Sequence, residues 1–187
     1  GPDLAFGPEV VKGGRTQCLE GSPAALFPAL RSFDMTWDSS MAADHPGIFW
    51  PAKKQSIWEF AIPYVYSPGL RRRQTALDYN FWYSFNGAKN QPRTAPKLRR
   101  IVRQTYEYMY DRAFHGNRAP IVVANHFNEW NGNSFNPATA DFMRETCSRP
   151  ETRCVTHQDL VAWLELQDPK VLADLQKQPA VAVDAER

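Results

Sequence analysis

A short apolar run that stops at a histidine constrains this fold more than any other feature. Residues 121–124 (IVVA) follow Pro120 and end at Asn125 and His126. A continuous apolar run with turn signals at both ends is typical of a strand covered on both faces, as in a parallel sheet. Reactive groups in such sheets gather at the carboxyl ends of the strands. His126 is therefore either a working side chain or a polar cap on a core strand.

The rest of the chain alternates between helical and extended patterns. Helices are predicted at four places. The first begins at Ser22 and Pro23, with a late start or a kink at Pro28, and the second covers 96–114, where apolar residues recur at helical spacing. The third extends from Asn136 to about Glu145, and the fourth follows Thr156, where Thr156 and Asp159 resemble a capping box. Extended segments are predicted over 33–37, 57–66, 75–85 and the RCVT segment at 153–156, with a loop at 42–56. This alternation predicts the α/β class.

Chain length predicts one domain, since 187 residues with 43% hydrophobic side chains are enough to bury a sizeable core. We expect residues 1–168 to form this domain. Residues 169–187 are expected to form a tail that is partly helical and then disordered.

The charge balance argues against two classes of partner. The 22 basic and 20 acidic side chains leave a net charge of +2, which provides no general field for nucleic acid. The basic runs at 71–73 and 99–100 are local and predict solvated faces. No apolar stretch is long enough to span a bilayer. We therefore expect neither nucleic acid binding nor a membrane span.

The three cysteines bear on the compartment. Cys147 and Cys154 flank a short polar turn and either close a small disulfide loop, as in an oxidising compartment, or are two unrelated reduced thiols. Cys18 is then left over, which indicates a free thiol or a partner outside this sequence.

Three side chains at predicted strand ends are the candidates for chemistry: Arg15 in GGRTQCLEG, Asp38 in WDSSM and His126 in NRAPIVVANHF. If they converge, Arg15 can orient a carboxylate, Asp38 can tune a neighbouring charge, and His126 can donate a proton to a leaving group. The alternative is a surface salt bridge and a capping histidine.

Phosphate-loop, dinucleotide-turn and G-x-S-x-G signatures are absent, and the four histidines are too dispersed for a local zinc pair.

These three pieces, in this order, resemble the polysaccharide deacetylases, especially the chitin deacetylase branch of that NodB-homology family. GGRTQCL is similar to the family's G-x-R-x-P-[FY]-L motif, and WDSSM to its [FY]-D-S-S-M motif. SIWEFAIP resembles the strand that follows, and NRAPIVVANHF the segment that leads to the catalytic histidine. RCVTHQDLVAWLELQDP is similar to the closing strand and helix, so the resemblance covers about residues 8–169.

The resemblance implies an incomplete (β/α) barrel, of which residues 1–168 are the C-terminal part, in a secreted or cell-envelope hydrolase. Its members remove acetyl groups from polysaccharides such as chitin-like N-acetylated glycans. A zinc ion or another divalent metal, held by one Asp and two His, polarises the acetyl carbonyl and activates a water, and a second Asp is the general base. Carried over to this chain, His126 protonates the leaving amine, Arg15 holds the catalytic Asp, and Asp38 belongs to the wall that supports both.

Four further positions are expected to contact substrate. The backbone N–H at Cys18 would help to bind the developing oxyanion, and Asn125 adjoins the histidine. Trp50 and Trp58 are either sugar platforms or core residues.

The chain also departs from the family pattern. The family's Asp pair and histidine metal segment precede the arginine motif, and this sequence contains neither. Gln17 and Cys18 replace the family's usual proline and aromatic residue. We expect the metal ligands outside this chain, in a missing N-terminal segment of the same protein. The alternative is a catalytically inactive remnant that binds glycans without turnover.

Overall fold

The computed structural model describes residues 7–185 and has a mixed α/β architecture with two small sheets. The first sheet has four strands, of which β1, β2 and β4 run parallel and β3 pairs antiparallel with β4, in the order β1-β2-β4-β3. The second sheet is the antiparallel pair of β5 and β6. The strands are short: β1 (Gly13–Gly14), β2 (Trp37–Asp38), β3 (Ala52–Lys54), β4 (Ile57–Glu59), β5 (Tyr64–Ser67) and β6 (Arg72–Thr75). The described residues form no closed barrel.

Helices make up most of the regular structure. They are α1 (Pro23–Ser32), α2 (Asp78–Asn86), α3 (Ala95–His115), the short turn α4 (Trp130–Asn133), α5 (Phe135–Thr146), α6 (His157–Glu165) and α7 (Pro169–Gln176). Three 3-10 turns cover Pro8–Val10, Gln17–Leu19 and Pro92–Thr94.

The helix predictions are confirmed. Helix α3 buries one face against α5 and the main core, because its apolar residues recur at helical spacing. Helix α6 begins with the predicted capping box, in which Thr156 and Asp159 bond each other's backbone N–H groups. Helix α1 begins at Pro23 and continues past Pro28, so the expected late start is wrong. The Ser22 side chain makes no capping hydrogen bond.

The strand predictions are only partly confirmed. Residues 75–85 are not extended, since Asp78–Asn86 is a helix that buries Phe81 and Trp82 in the core and ends at Gly87 in the left-handed conformation. Aromatic residues favour strands only where a pleated surface receives them, and here the core receives a helix face. The segment 57–66 is divided between β4 and β5, and 33–37 contributes only its last residue to β2. RCVT forms no strand, and the predicted loop at 42–56 contains β3.

The apolar run at 121–124 is not a regular strand either. Ala124 forms a single parallel bridge with Leu77. Val122 and Ala124 are buried, whereas Ile121 and Val123 are half-buried, so the expectation of cover on both faces is wrong. The run is nonetheless extended beside Leu77, which places its end next to the start of α2.

The tail is partly helical, as predicted, but the expected disorder after α7 is wrong for the part that the structure describes. Val181 pairs antiparallel with Ile48, and Ala182 is buried in the main core. The backbone N–H of Tyr66 donates to the Ala182 carbonyl at 3.0 Å. Through these contacts the segment at 181–182 packs beside β5.

Cys147 and Cys154 form a disulfide, with Cα atoms 5.5 Å apart, which confirms the pairing. It ties the end of α5 to the segment before α6. Within residues 7–185, no helix is both long enough and apolar enough to cross a membrane.

Candidate functional site

The carboxyl ends of the three parallel strands form the floor of the candidate site. Strand register places Gly14 beside Asp38, and Asp38 beside Glu59. Two carboxyl groups therefore lie on adjacent strands at one edge of the sheet. Arg15 directly follows β1, so it emerges at the same edge.

Arg15 is held by the loop that follows β2. Its Nε donates to the Ser39 carbonyl at 2.9 Å, and its Nη2 donates to the Ser39 hydroxyl at 2.8 Å. Burial lowers the pKa of Arg15, and the charges of Asp38 and Asp78 oppose that effect. The guanidinium therefore lies within electrostatic range of both carboxylates and stays protonated.

Asp38 holds this loop in place through hydrogen bonds to Ser40. It is buried, and its carboxylate accepts hydrogen bonds from the Ser40 backbone N–H at 2.9 Å and the Ser40 hydroxyl at 2.5 Å. The Ser40 hydroxyl in turn accepts from the backbone N–H of Thr16 at 2.9 Å. Asp38 thus joins the ends of β1 and β2 through Ser40, and its hydrogen bonds go to Ser40 rather than to His126.

The carboxylate that contacts His126 is Asp78, the first residue of α2. Asp78 Oδ1 lies 2.6 Å from His126 Nδ1, and Asp78 Oδ2 accepts the His126 backbone N–H at 2.8 Å. Oδ1 also accepts the backbone N–H of Tyr79 at 2.8 Å. Asp78 is buried, whereas the His126 side chain is 47% exposed. Sequence reasoning missed Asp78, because it lay in a segment predicted to be extended.

The Asp78 contact determines which ring nitrogen of His126 is available for chemistry. A carboxylate at Nδ1 selects the tautomer with a proton on Nδ1. Nε2 has no hydrogen-bond partner among the described residues. His126 is therefore arranged to accept or release a proton at Nε2, on an accessible ring.

Local packing explains this juxtaposition. The single parallel bridge between Leu77 and Ala124 aligns the two segments, and Asp78 and His126 follow it directly. Leu77 and Ala124 are buried together with Ile62 in a small apolar cluster. His126 therefore stands at the end of an extended apolar segment, as predicted, although pairing is limited to one bridge.

The predicted substrate contacts have different outcomes. Trp58 is 2% exposed and donates its indole N–H to Glu165, so the sugar-platform prediction for Trp58 is wrong and its core role holds. Trp50 is half-buried, packs against the core and donates to the Asn117 carbonyl, which favours packing here as well. Apolar burial of both indoles stabilises more than exposure would.

Asn125 braces the loop around His126. Its Nδ2 donates to Thr139 at 3.1 Å, and its Oδ1 accepts the backbone N–H of Phe127 at 2.6 Å. The backbone of Cys18 lies in the 3-10 turn Gln17–Leu19. Substrate contacts at Asn125 and Cys18 stay predictions.

Two further titratable groups border the floor, and sequence reasoning passed over both. Burial, followed by the charge of Asp38, raises the pKa of Glu59 to about 8. Burial, followed by the charge of Arg15, lowers the pKa of His157 to about 4. The His157 ring stacks on Trp37 with centroids 4.4 Å apart. Both side chains are therefore neutral near pH 7. A single acidic residue within the mostly apolar SIWEF segment is the sequence feature that could have indicated a buried Glu59.

The residues present do not fit a catalytic metal. Across residues 7–185, no three His, Cys, Asp or Glu side chains are grouped so that they could hold a metal ion. His126 uses Nδ1 for Asp78, and His157 lies against Trp37. The zinc ion that the resemblance implies has no ligand set in this part of the chain.

Neither a protein family, nor a curated protein, nor a solved structure matches this chain. The site itself is a histidine–carboxylate pair, His126 and Asp78, with the Arg15 guanidinium within electrostatic range of the carboxylate. The link to the polysaccharide deacetylases is carried by the sequence motifs alone.

Proposed function

We propose that this chain carries the proton-donating side of a polysaccharide deacetylase site, which hydrolyses acetyl groups from a chitin-like or other N-acetylated glycan. The observation that carries the proposal is the 2.6 Å contact between buried Asp78 and Nδ1 of the accessible His126. The order of the arginine, aspartate and histidine motifs along the sequence supports the same assignment.

The proposed role of His126 follows from the chemistry of amide hydrolysis. The oxygen of water bonds to the acetyl carbonyl carbon, the C–N bond breaks, and acetate leaves. The sugar nitrogen is a poor leaving group unless it receives a proton, and the His126 imidazolium supplies that proton from Nε2. Asp78 stabilises the imidazolium before transfer and keeps the ring oriented.

Arg15 and Asp38 act as positioning residues in this proposal. Ser39 fixes the guanidinium, which is then available to orient a carboxylate that acts as base. Asp38 holds the Arg15 loop through Ser40. The base and the divalent metal, zinc by resemblance, are expected outside this chain.

A secreted or cell-envelope location is part of the proposal. The disulfide between Cys147 and Cys154 supports it, because disulfides persist in oxidising compartments. The alternative function is glycan binding without turnover by a remnant of the same fold.

The decisive experiment is acetate release from chitopentaose by the 187-residue chain, alone and with a companion segment that supplies the Asp pair and the histidine metal segment of the family, each with Zn²⁺ and with Co²⁺. In the active form, His126→Ala is expected to lower kcat about 10²- to 10⁴-fold and to leave KM nearly unchanged, because the proton is needed only in the transition state. Asp78→Asn is expected to lower kcat similarly. Asp38→Asn should cost less, since Asp38 acts through the Arg15 loop.

His115→Ala is the matched control, because His115 is exposed at the end of α3, where its ring contacts Asp111 and Phe114. It should leave kcat unchanged. Wild-type kcat in His126→Ala would contradict the role of His126. Binding of the pentaose with no acetate release in either preparation would favour the alternative.

A further inference from the structure

Helix α2 presents aromatic rings to solvent on the face opposite its core residues. Tyr79 and Tyr83 are four residues apart and are 44% and 64% exposed. Their ring centroids are 6.4 Å apart, and their planes differ by 26°. Large side chains exposed side by side are uncommon on a soluble domain and mark binding surfaces.

This exposed surface is continuous with the pair formed by His126 and Asp78. The Tyr79 ring meets Trp130 edge-on, with centroids 5.8 Å apart, and Trp130 lies 5.4 Å from the His126 ring. Trp130 is half-buried and stacks on the buried Trp82 at 5.5 Å. A row of rings therefore extends from His126 through Trp130 and Tyr79 to Tyr83, and Trp82 supports it from behind.

The chemistry around the row selects a neutral ligand. The two segments that supply the rings, 78–86 and 125–134, contain no Lys or Arg and contribute the exposed Glu129, whose charge repels a phosphate backbone. Asn80 and Asn128 interrupt the aromatic residues, and Asn128 is exposed. Aromatic faces cover the apolar C–H faces of sugar rings, while amides and phenol groups bond to hydroxyls. Nucleic acid is therefore disfavoured and a glycan favoured.

We propose that Tyr79, Tyr83 and Trp130 form a binding strip for successive sugar residues of a neutral, N-acetylated glycan, on one side of the sugar that faces His126. The direction of the chain relative to His126 rests on the proposed function, whereas binding itself requires no turnover. The strip predicts that longer oligosaccharides bind more tightly than short ones, because only they reach Tyr83.

The test is calorimetric titration of chitobiose and chitopentaose into the 187-residue chain. Tyr83→Ala is expected to weaken pentaose binding about three- to tenfold and to leave biose binding unchanged. Tyr83→Phe keeps the ring and should retain most of the affinity. Phe33→Ala is the matched control, because Phe33 is an exposed ring at the end of α1, and it should change neither affinity.

Several results would overturn the strip. They are equal pentaose affinity in Tyr83→Ala and wild type, a similar loss in Phe33→Ala, and no pentaose binding at all. A dimer in light scattering that Tyr83→Ala dissociates would make the strip a self-association surface instead. Tyr83-dependent pentaose binding without acetate release would contradict the proposed hydrolysis and leave the strip standing, so the two failures are distinguishable.

Discussion

Replacing Glu59 with glutamine is expected to stabilise the protein in a pH-dependent manner. Glu59 is 6% exposed, so its carboxyl group is shielded from water. Asp38 occupies the neighbouring register position on β2. Burial and the charge of Asp38 raise the pKa of Glu59 from 4.5 to about 8. The side chain is therefore protonated in the fold at pH values where the unfolded chain has lost that proton.

The sign of the effect follows from proton linkage. Between pH 4.5 and about 8 the folded state binds one proton more than the unfolded state, so stability falls as pH rises through this window. The full effect has an upper limit of about 5 kcal/mol, and about 3 kcal/mol of it falls between pH 5 and 7.5. Glutamine resembles the protonated acid and does not titrate. The Glu59→Gln protein should therefore lack this loss.

His157 contributes an opposite slope, which the comparison cancels. Its pKa is lowered from 6.5 to about 4, so its contribution to stability is present above pH 6.5 and is lost as pH falls toward 4. Since both proteins contain His157, the quantity to measure is the difference between their unfolding free energies at each pH.

Urea unfolding followed by tryptophan fluorescence provides that difference. We expect a difference of less than about 1 kcal/mol at pH 5, rising to about 4 kcal/mol in favour of Glu59→Gln at pH 7.5. Glu20→Gln, at an exposed glutamate, should show neither a difference nor a slope. A constant difference across the pH range, or a variant that is less stable throughout, would refute the account of Glu59 as a buried neutral acid.

Other predictions concern the disulfide, the α6 cap, the floor electrostatics and metal binding. Replacing both Cys147 and Cys154 with serine should lower the free energy of unfolding by about 2 kcal/mol, because the eight-residue loop is then no longer closed in the unfolded chain. Urea unfolding measures this difference, and an unchanged free energy would contradict the prediction. Thr156→Ala should cost about 1 kcal/mol in the same assay, since it removes the capping hydrogen bond of α6. Arg15→Gln should raise the pKa of His157 above about 4 in an NMR titration, because the guanidinium charge contributes to lowering it; a fall would contradict the assigned neighbourhood. The 187-residue chain alone should bind no stoichiometric zinc or cobalt, and a full equivalent in elemental analysis would refute that.

Local sequence patterns were sufficient for several elements. The periodicity of 96–114 predicts α3, because one apolar stripe at helical spacing has few other ways to be buried. The Thr156 and Asp159 pair predicts the start of α6, since both hydrogen bonds close within four residues. The short turn between Cys147 and Cys154 predicts their proximity for the same reason. The apolar run ends at His126, whose side chain is 47% exposed.

Tertiary packing decided what depends on residues distant in sequence. Asp78 lies 48 positions from His126, and only the bridge between Leu77 and Ala124 brings them together. The aromatic segment that contains Asp78 has the composition of a strand, but the core accommodates one face of a helix there. The burial of Glu59 and the neutral state of His157 likewise depend on neighbouring strands and on Arg15. Local sequence specifies short-range hydrogen bonds and apolar stripes, whereas the desolvation and charge that set a site's chemistry come from long-range neighbours.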